Sequence, residues 1–282
     1  MIKIVECPRD AMQGWPHLIS TESKIKYLNQ LLKVGFDTID FGSFVSPKAI
    51  PQMADTKDVI GGLDLSNTKS KLLAIIANTR GANDAVSYDE INYLGFPFSI
   101  SPTFQKRNAN SSIDEALNIV EEIQNLCVNN NKELVVYISM GFGNPYGDEY
   151  HADLVAEWTY KIANLGVKII SVADTVGLAS PELIYSVMKE VMASFKNIEV
   201  GVHLHSAPHN RIEKLDAALK AGVKRFDSAI LGIGGCPMAG DSLIGNMDTS
   251  LSVDHFTKLG NELNLNMPQL KVAEIMASTI FI

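Results

Sequence analysis

Two hydrophobic patterns alternate along the chain. Short runs rich in β-branched and aromatic residues, bounded by Gly, Asn, Asp or Pro, predict strands. They are IKIVEC (2–7), DTIDFG (37–42), KLLAIIA (71–77), FPFSIS (96–101), ELVVYIS (133–139), VKIISVAD (167–174), IEVGVHLH (198–205) and KRFDSAI (224–230). Between them lie stretches with apolar residues at helical spacing. In TESKIKYLNQLLKVG (21–35) these are Ile25, Leu28, Leu31 and Leu32. The segments 111–128 and 151–166 repeat the pattern. The punctuation agrees. KVGF, NLGV and KAGV each place a Gly after a last helical turn, where a left-handed cap lets the chain reverse. Ser20 or Thr21, Ser111 or Ser112, and Ser180 followed by Pro181 mark helix starts.

Eight strands alternating with helices over about 230 residues predict an α/β protein, a parallel sheet closed as a (β/α)8 TIM barrel. One domain spans 1–282, with a C-terminal helical segment at 247–282. An open doubly wound sheet is the alternative, but no GxGxxG follows the first strand.

Composition narrows the partners. The 282 residues are 46% hydrophobic with a net charge of -8, and no basic run would track a phosphate backbone, which argues against nucleic acid. Cys7, Cys127 and Cys236 are far apart without CxxC spacing, so a disulfide framework or structural zinc is not expected. The N-terminal stretch lacks a signal-peptide apolar core, and no uncharged run is long enough to span a membrane. A soluble, cytoplasmic protein is the expectation.

In a barrel of this kind chemistry sits at the C-terminal ends of strands, and polar residues gather there. The first strand runs into Glu6, Arg9, Asp10 and Gln13; the second carries Asp40; the sixth ends at Asp174. The seventh ends in HLH, which puts His203 and His205 on one face. After the eighth comes LGIGGCPMAGDSLIGN, holding Cys236 and Asn246. Taken singly, Asp10 reads equally as a helix cap, Asp40 and Asp174 as partners of loop amides, and the glycines as a loop. Taken together, a carboxylate, two imidazoles and an amide form a mixed N/O set suited to Mg²⁺ or Mn²⁺.

These motifs resemble those of the 3-hydroxy-3-methylglutaryl-CoA (HMG-CoA) lyase family, within the metal-dependent TIM-barrel lyases and Claisen-type synthases. The resemblance spans the chain and rests on IVECPRDAMQ, SFVSPKAIPQMAD (43–55), SVADTVG, VHLH, and GIGGCPMA followed by GN. It implies that Asp10, His203, His205 and Asn246 hold a divalent metal. It implies catalytic roles for Arg9, Asp40, Asp174, His203 and Cys236, and substrate contacts from Gln13 and Lys48. The Gln105-Lys106-Arg107 stretch would meet CoA phosphates. The implied reaction cleaves HMG-CoA to acetyl-CoA and acetoacetate, the last step of leucine breakdown. Barrels of this size often pair, so a homodimer is the default expectation.

The substrate hydroxyl must lose a proton to a base, either His203 or Asp40. Arg9 would stabilise the thioester oxyanion that follows. Cys236 would travel with a glycine-rich lid as proton donor, lid contact or redox-sensitive brake. Four positions depart from the family pattern. Asp40 replaces a Glu, Ser206-Ala207-Pro208 follows His205, Asn246 lies ten residues after Cys236, and Cys7 precedes Pro8 where a Gly is usual. Two rival readings share the residues: a condensing synthase of the isopropylmalate or homocitrate type, and a non-catalytic barrel.

Overall fold

The computed structural model describes residues 1–235 and 244–282, so Cys236 lies outside the described residues. Eight parallel strands close in sequence order into a barrel. They are β1 (Lys3–Glu6), β2 (Thr38–Ser43), β3 (Lys71–Ile75), β4 (Ile91–Ser99), β5 (Glu133–Ser139), β6 (Ile169–Asp174), β7 (Glu199–Leu204) and β8 (Arg225–Ser228). A short helix α1 (Pro8–Gln13) follows β1, then α2 (Thr21–Leu32), with α3 (Thr56–Gly61) after β2 and α4 (Thr79–Val86) after β3. Two helices, α5 (Pro102–Ala109) and α6 (Ile113–Asn129), separate β4 from β5. The ring continues with α7 (Ala152–Asn164), α8 (Pro181–Ser194) and α9 (Arg211–Ala221), and ends in α10 (Thr249–Lys258) and α11 (Met267–Ile280).

Each strand is buried on both faces, as a parallel sheet covered by helices requires. One set, including Leu73, Tyr93, Val135, Tyr137 and Ile169, fills the barrel. The alternate set, including Ile39, Leu72, Leu94, Val136, Ile170 and Phe226, packs beneath the helices. Helix boundaries fall where local chemistry sets them. Gly35, Gly166 and Gly222 all have positive φ. The Ser20, Ser112 and Ser180 hydroxyls accept backbone N–H bonds at their helix starts, and Ser112 forms a reciprocal capping box with Glu115.

The fourth strand differs from expectation: it starts at Ile91, five residues before the FPFS run, and ends before Ser101, which caps α5. Gly95 bounds the predicted run, yet it lies within the strand, as Pro97 does. The Gly95 carbonyl accepts from Ile76 N at 2.9 Å, so Pro97 faces the same neighbour just beyond Ile75, where β3 stops. The missing N–H therefore costs no strand bond, since proline is tolerated where a ladder ends. The C-terminal segment is helical as expected and docks on α2. Gln30 Nε2 donates to Gln269 O at 2.9 Å, and Phe281 meets Trp15 edge-on. No helix among the described residues is long and apolar enough to cross a membrane.

Candidate active site

Pro8 starts α1 immediately after β1, so Arg9, Asp10 and Gln13 stand on one turn over the C-terminal mouth of the barrel. Arg9 is the hub. Its Nε lies 3.2 and 3.0 Å from the two carboxylate oxygens of Asp40, and its Nη2 2.5 Å from Asp40 Oδ2. Its Nη1 donates to Asp10 Oδ1 at 3.1 Å and to Gln13 Oε1 at 2.8 Å. Burial pushes the Asp40 carboxyl up to about 6, against the pull of Arg9. Burial also raises Asp10, but Arg9 and then His203 and His205 outweigh it, and the net shift is downward. One cation thus pairs with two buried carboxylates whose proton affinities shift in opposite directions.

Both histidines project from the end of β7. His205 is 3% exposed, and its Nδ1 lies 3.0 Å from the Thr175 carbonyl, which places the proton there. Its Nε2 is buried with no hydrogen-bond partner among the described residues. Burial, then His203, pushes the His205 pKa down to about 4, so the ring is neutral with a free lone pair. His203 Nδ1 faces Asp227 Oδ2 at 3.2 Å; burial lowers its pKa, but Asp227 raises it more. Ligand atoms of Asp10, His203 and His205 lie within 4.8 Å of one another. Asn246 pairs with His205 through the backbone, and its Nδ2 donates to Asp10 Oδ2 at 2.6 Å and to Ile233 O at 2.8 Å. With its nitrogen engaged, the amide oxygen is the atom left to face an ion. The orphaned His205 Nε2 beside an ionised carboxylate fits a divalent metal of the kind expected from sequence.

The other expected residues divide. Gln13 and Gln105 line a cavity of about 650 Å³ that runs from Arg9, Asp10, Asp40 and the two histidines to an apolar wall including Ile50, Phe96 and Phe104. Gln105, however, is occupied with Ser99 N and Ser111 Oγ. Lys48 is exposed and, like Lys106 and Arg107, does not line that cavity. Asp174 is turned away from it: Oδ1 accepts from Ala179 N at 3.1 Å and Oδ2 from Lys214 Nζ at 2.7 Å. Its carboxylate braces the β6–α8 turn.

Sequence reasoning missed Lys214, Thr175 and Asp227. Asp227 carried a signal, a lone acid at alternate spacing inside the KRFDSAI strand pattern. Lys214 carried none, because it sits on a helix face that reads as solvated.

Fold and site together define a (β/α)8 barrel whose mouth carries an Asp–His–His–Asn cluster beside a buried Arg–carboxylate pair. The chain belongs to the HMGL-like family, whose model matches residues 2–276. It is 31% identical over 263 residues to a hydroxymethylglutaryl-CoA lyase of Bacillus subtilis, covering 93% of this chain and 87% of that one. It is 32% identical over 270 residues to the mitochondrial hydroxymethylglutaryl-CoA lyase of Homo sapiens, covering 95% and 82%. Among solved structures, an HMG-CoA lyase from Acenitobacter baumannii in complex with coenzyme A and 3-methylmalate superposes with a TM-score of 0.92 at 27% identity, covering 100% of this chain and 91% of that one. The Bacillus subtilis HMG-CoA lyase also gives 0.92 at 30% identity, over 99% and 93%.

Proposed function

We infer that the chain is a hydroxymethylglutaryl-CoA lyase, cleaving HMG-CoA to acetyl-CoA and acetoacetate, with Mg²⁺ or Mn²⁺ held by Asp10, His203, His205 and Asn246. The observation that carries this reading is the meeting of Asp10 with both imidazoles, His205 Nε2 bare and Arg9 alongside. When bound, the ion supplies Lewis-acid polarisation of the substrate's hydroxyl and carbonyl oxygens.

The remaining chemistry belongs to the chain. His203 has Nδ1 against Asp227 and belongs to the metal cluster, so its free nitrogen is given to the ion and not to proton transfer in this reading. Asp40, pushed up to about 6, is the base: ionised at neutral pH, yet basic enough to take the hydroxyl proton. Arg9, always cationic, stabilises the charge that grows on the thioester oxygen as the acetyl-CoA enolate leaves. Gln13 holds Arg9 from the other side. The apolar wall excludes water from the enolate. Cys236, which lies outside the described residues, keeps its three expected roles: proton donor, lid contact or redox-sensitive brake.

The test is turnover of HMG-CoA after chelation, with Mg²⁺ and Mn²⁺ restored separately, beside an acetyl-CoA-dependent condensation assay. Cleavage restored by either ion is expected. A condensation-only result would replace the lyase by a synthase, and no metal dependence would remove the mechanism. The same reading places a homodimer in the cytoplasm. Sedimentation of the chain as a monomer would remove that assembly, and fractionation into another compartment would remove that location.

A further inference from the structure

Beneath the Asp10 cluster the barrel interior holds a second convergence of ligand atoms. Cys7 Sγ, a nitrogen of His203 and a carboxylate oxygen of Asp227 lie within 4.8 Å of one another. Three strand ends bring them there. Cys7 follows β1, and Asp227 of β8 is the register partner of both Val5 in β1 and His203 in β7. His203 is shared with the Asp10 cluster, but Cys7 and Asp227 keep ligand atoms free. Among the described residues the thiol makes only a 3.7 Å contact with Val5 O. Asp227 uses one oxygen on His203 Nδ1, while its Oδ1 is buried with no partner among the described residues. The proposed lyase reaction uses neither the thiol nor that oxygen.

The donor set differs in kind from the Asp10 cluster. A thiolate, an imidazole nitrogen and a carboxylate oxygen are a zinc-type set, close to tetrahedral when a fourth ligand is water. Hard ions such as Mg²⁺ and Mn²⁺ take oxygen and mixed N/O surroundings and avoid sulfur. The His203 to Asp227 separation of 3.2 Å is already near the edge of such a tetrahedron. Burial, then the nearby Asp227, Asp40 and Asp10, push the Cys7 thiol up, so an ion must displace its proton; the same carboxylates draw a cation, and Arg9 is the opposing charge.

We propose that Cys7, His203 and Asp227 form a second, inhibitory site for a thiophilic divalent ion such as Zn²⁺. On binding, the sulfur–metal and His203 Nδ1–metal bonds form as the thiol proton and the Nδ1 proton that faced Asp227 leave to solvent, and no electron is transferred. His203 Nδ1 exchanges its contact with Asp227 for the ion, so the ring can no longer be aimed by that carboxylate. A softer ion at this site then suppresses activity supported by Mg²⁺ at the Asp10 cluster. The site stands on the placement of three side chains and not on the identity of the reaction.

The experiment titrates Mg²⁺-loaded protein with Cd²⁺ and reads the ultraviolet cadmium–thiolate charge-transfer band. One thiolate's worth of absorbance per chain is expected. It should vanish in Cys7→Ala and in Cys7→Gly and persist in Cys127→Ser and Cys236→Ser. In parallel, the Zn²⁺ concentration that halves Mg²⁺-supported turnover should rise at least tenfold in the Cys7 variants. A band that survives both Cys7 variants, or no band at all, overturns the site. Band loss without a change in Zn²⁺ sensitivity overturns its inhibitory role. If the chain proves to lack lyase activity, the cadmium band still decides the binding site, so the two readings fail separately.

Discussion

At the scale of single residues, the site turns on one guanidinium satisfying two buried carboxylates. Arg9 spends five contacts on Asp40, Asp10 and Gln13, and its planar fork suits the two-point grip on Asp40. Arg9→Gln removes the oxyanion donor, and kcat for HMG-CoA cleavage is expected to fall about 100- to 1000-fold. A steady-state assay showing less than tenfold would take Arg9 out of the reaction. Asp40 makes a separate demand on pH. A base with a raised pKa is active when ionised, so kcat/KM should be full above pH 7 and fall as pH drops through about 6. In Asp40→Asn that acid limb should disappear together with most of the rate. A wild-type limb in the ordinary carboxylate range, near 4, would assign the base elsewhere. Arg9, Asp10, Asp40 and the histidine pair were legible because polar residues at strand ends stand out against apolar runs. Asp227 and Thr175 were not, since each acts through a neighbour fixed by strand register or a turn carbonyl.

At the scale of elements, the ends of β6 and β7 are held together by a buried lysine from α9. Lys214 and Asp174 are each 1% exposed in their side chains. The Lys214 ammonium donates to Asp174 Oδ2 and His205 O, both at 2.7 Å, and to Gly177 O at 3.4 Å. It therefore fixes the backbone of His205, a proposed metal ligand, and the turn whose Thr175 carbonyl orients the same ring. Lys214→Met should weaken Mn²⁺ affinity about 10- to 100-fold, the usual effect of removing support behind a ligand. Calorimetric titration reads it. The double variant Lys214→Met/Asp174→Asn should recover thermal stability, by relieving the unpaired carboxylate, without recovering affinity. Full affinity in either would make the pair structural only. Glu6 makes the matching case at the end of β1. It is fully buried, accepting from Ile230 N at 2.9 Å and meeting Thr249 Oγ1 at 2.5 Å, and burial pushes it up to about 8. A carboxyl that binds its proton more tightly folded than unfolded stabilises the protein below about pH 4.5 and progressively loses that contribution as pH rises through 8. Glu6→Gln should gain on wild type by a few degrees in Tm between pH 5 and 9; parallel Tm curves would refute it. The elements themselves were largely readable. Alternating patterns, serine caps and helix-ending glycines are local signals. The first half of β4 was hidden because Gly95 reads as a break and is tolerated only for a non-local reason, a crowded interior.

At the scale of the whole molecule, closure joins β1 to β8 along Lys3 to Glu6 and Arg225 to Ser228, a pairing no local pattern announces. At the end away from the site, Arg225 bridges Asp37 and Glu199 at 3.4 and 3.3 Å, and Lys3 meets Glu199 at 2.6 Å. Arg225 is nonetheless 1% exposed and lies in one register row with Tyr137, Ser171 and Gly201. A large cation crosses the barrel interior only because Gly201 leaves space for its stem. A Cβ there would sit 3.0 Å from Arg225 Cγ and Cδ. Gly201→Ala is therefore expected to cost about 1–3 kcal/mol by overpacking, read by denaturant unfolding. Arg225→Ala removes Cγ and Cδ and leaves only Cβ, 3.1 Å away, so the same Gly201→Ala step made in that background should cost clearly less. Equal costs in both backgrounds would show that the glycine serves the strand and not the arginine. The distinction matters because Asp227, one layer above Arg225 on β8, is the residue that faces His203. A barrel that closes badly at its quiet end should also aim its metal ligands badly at the working one. Gly201→Ala should then weaken Mn²⁺ binding in the Arg225 protein, although the residue touches no part of the site.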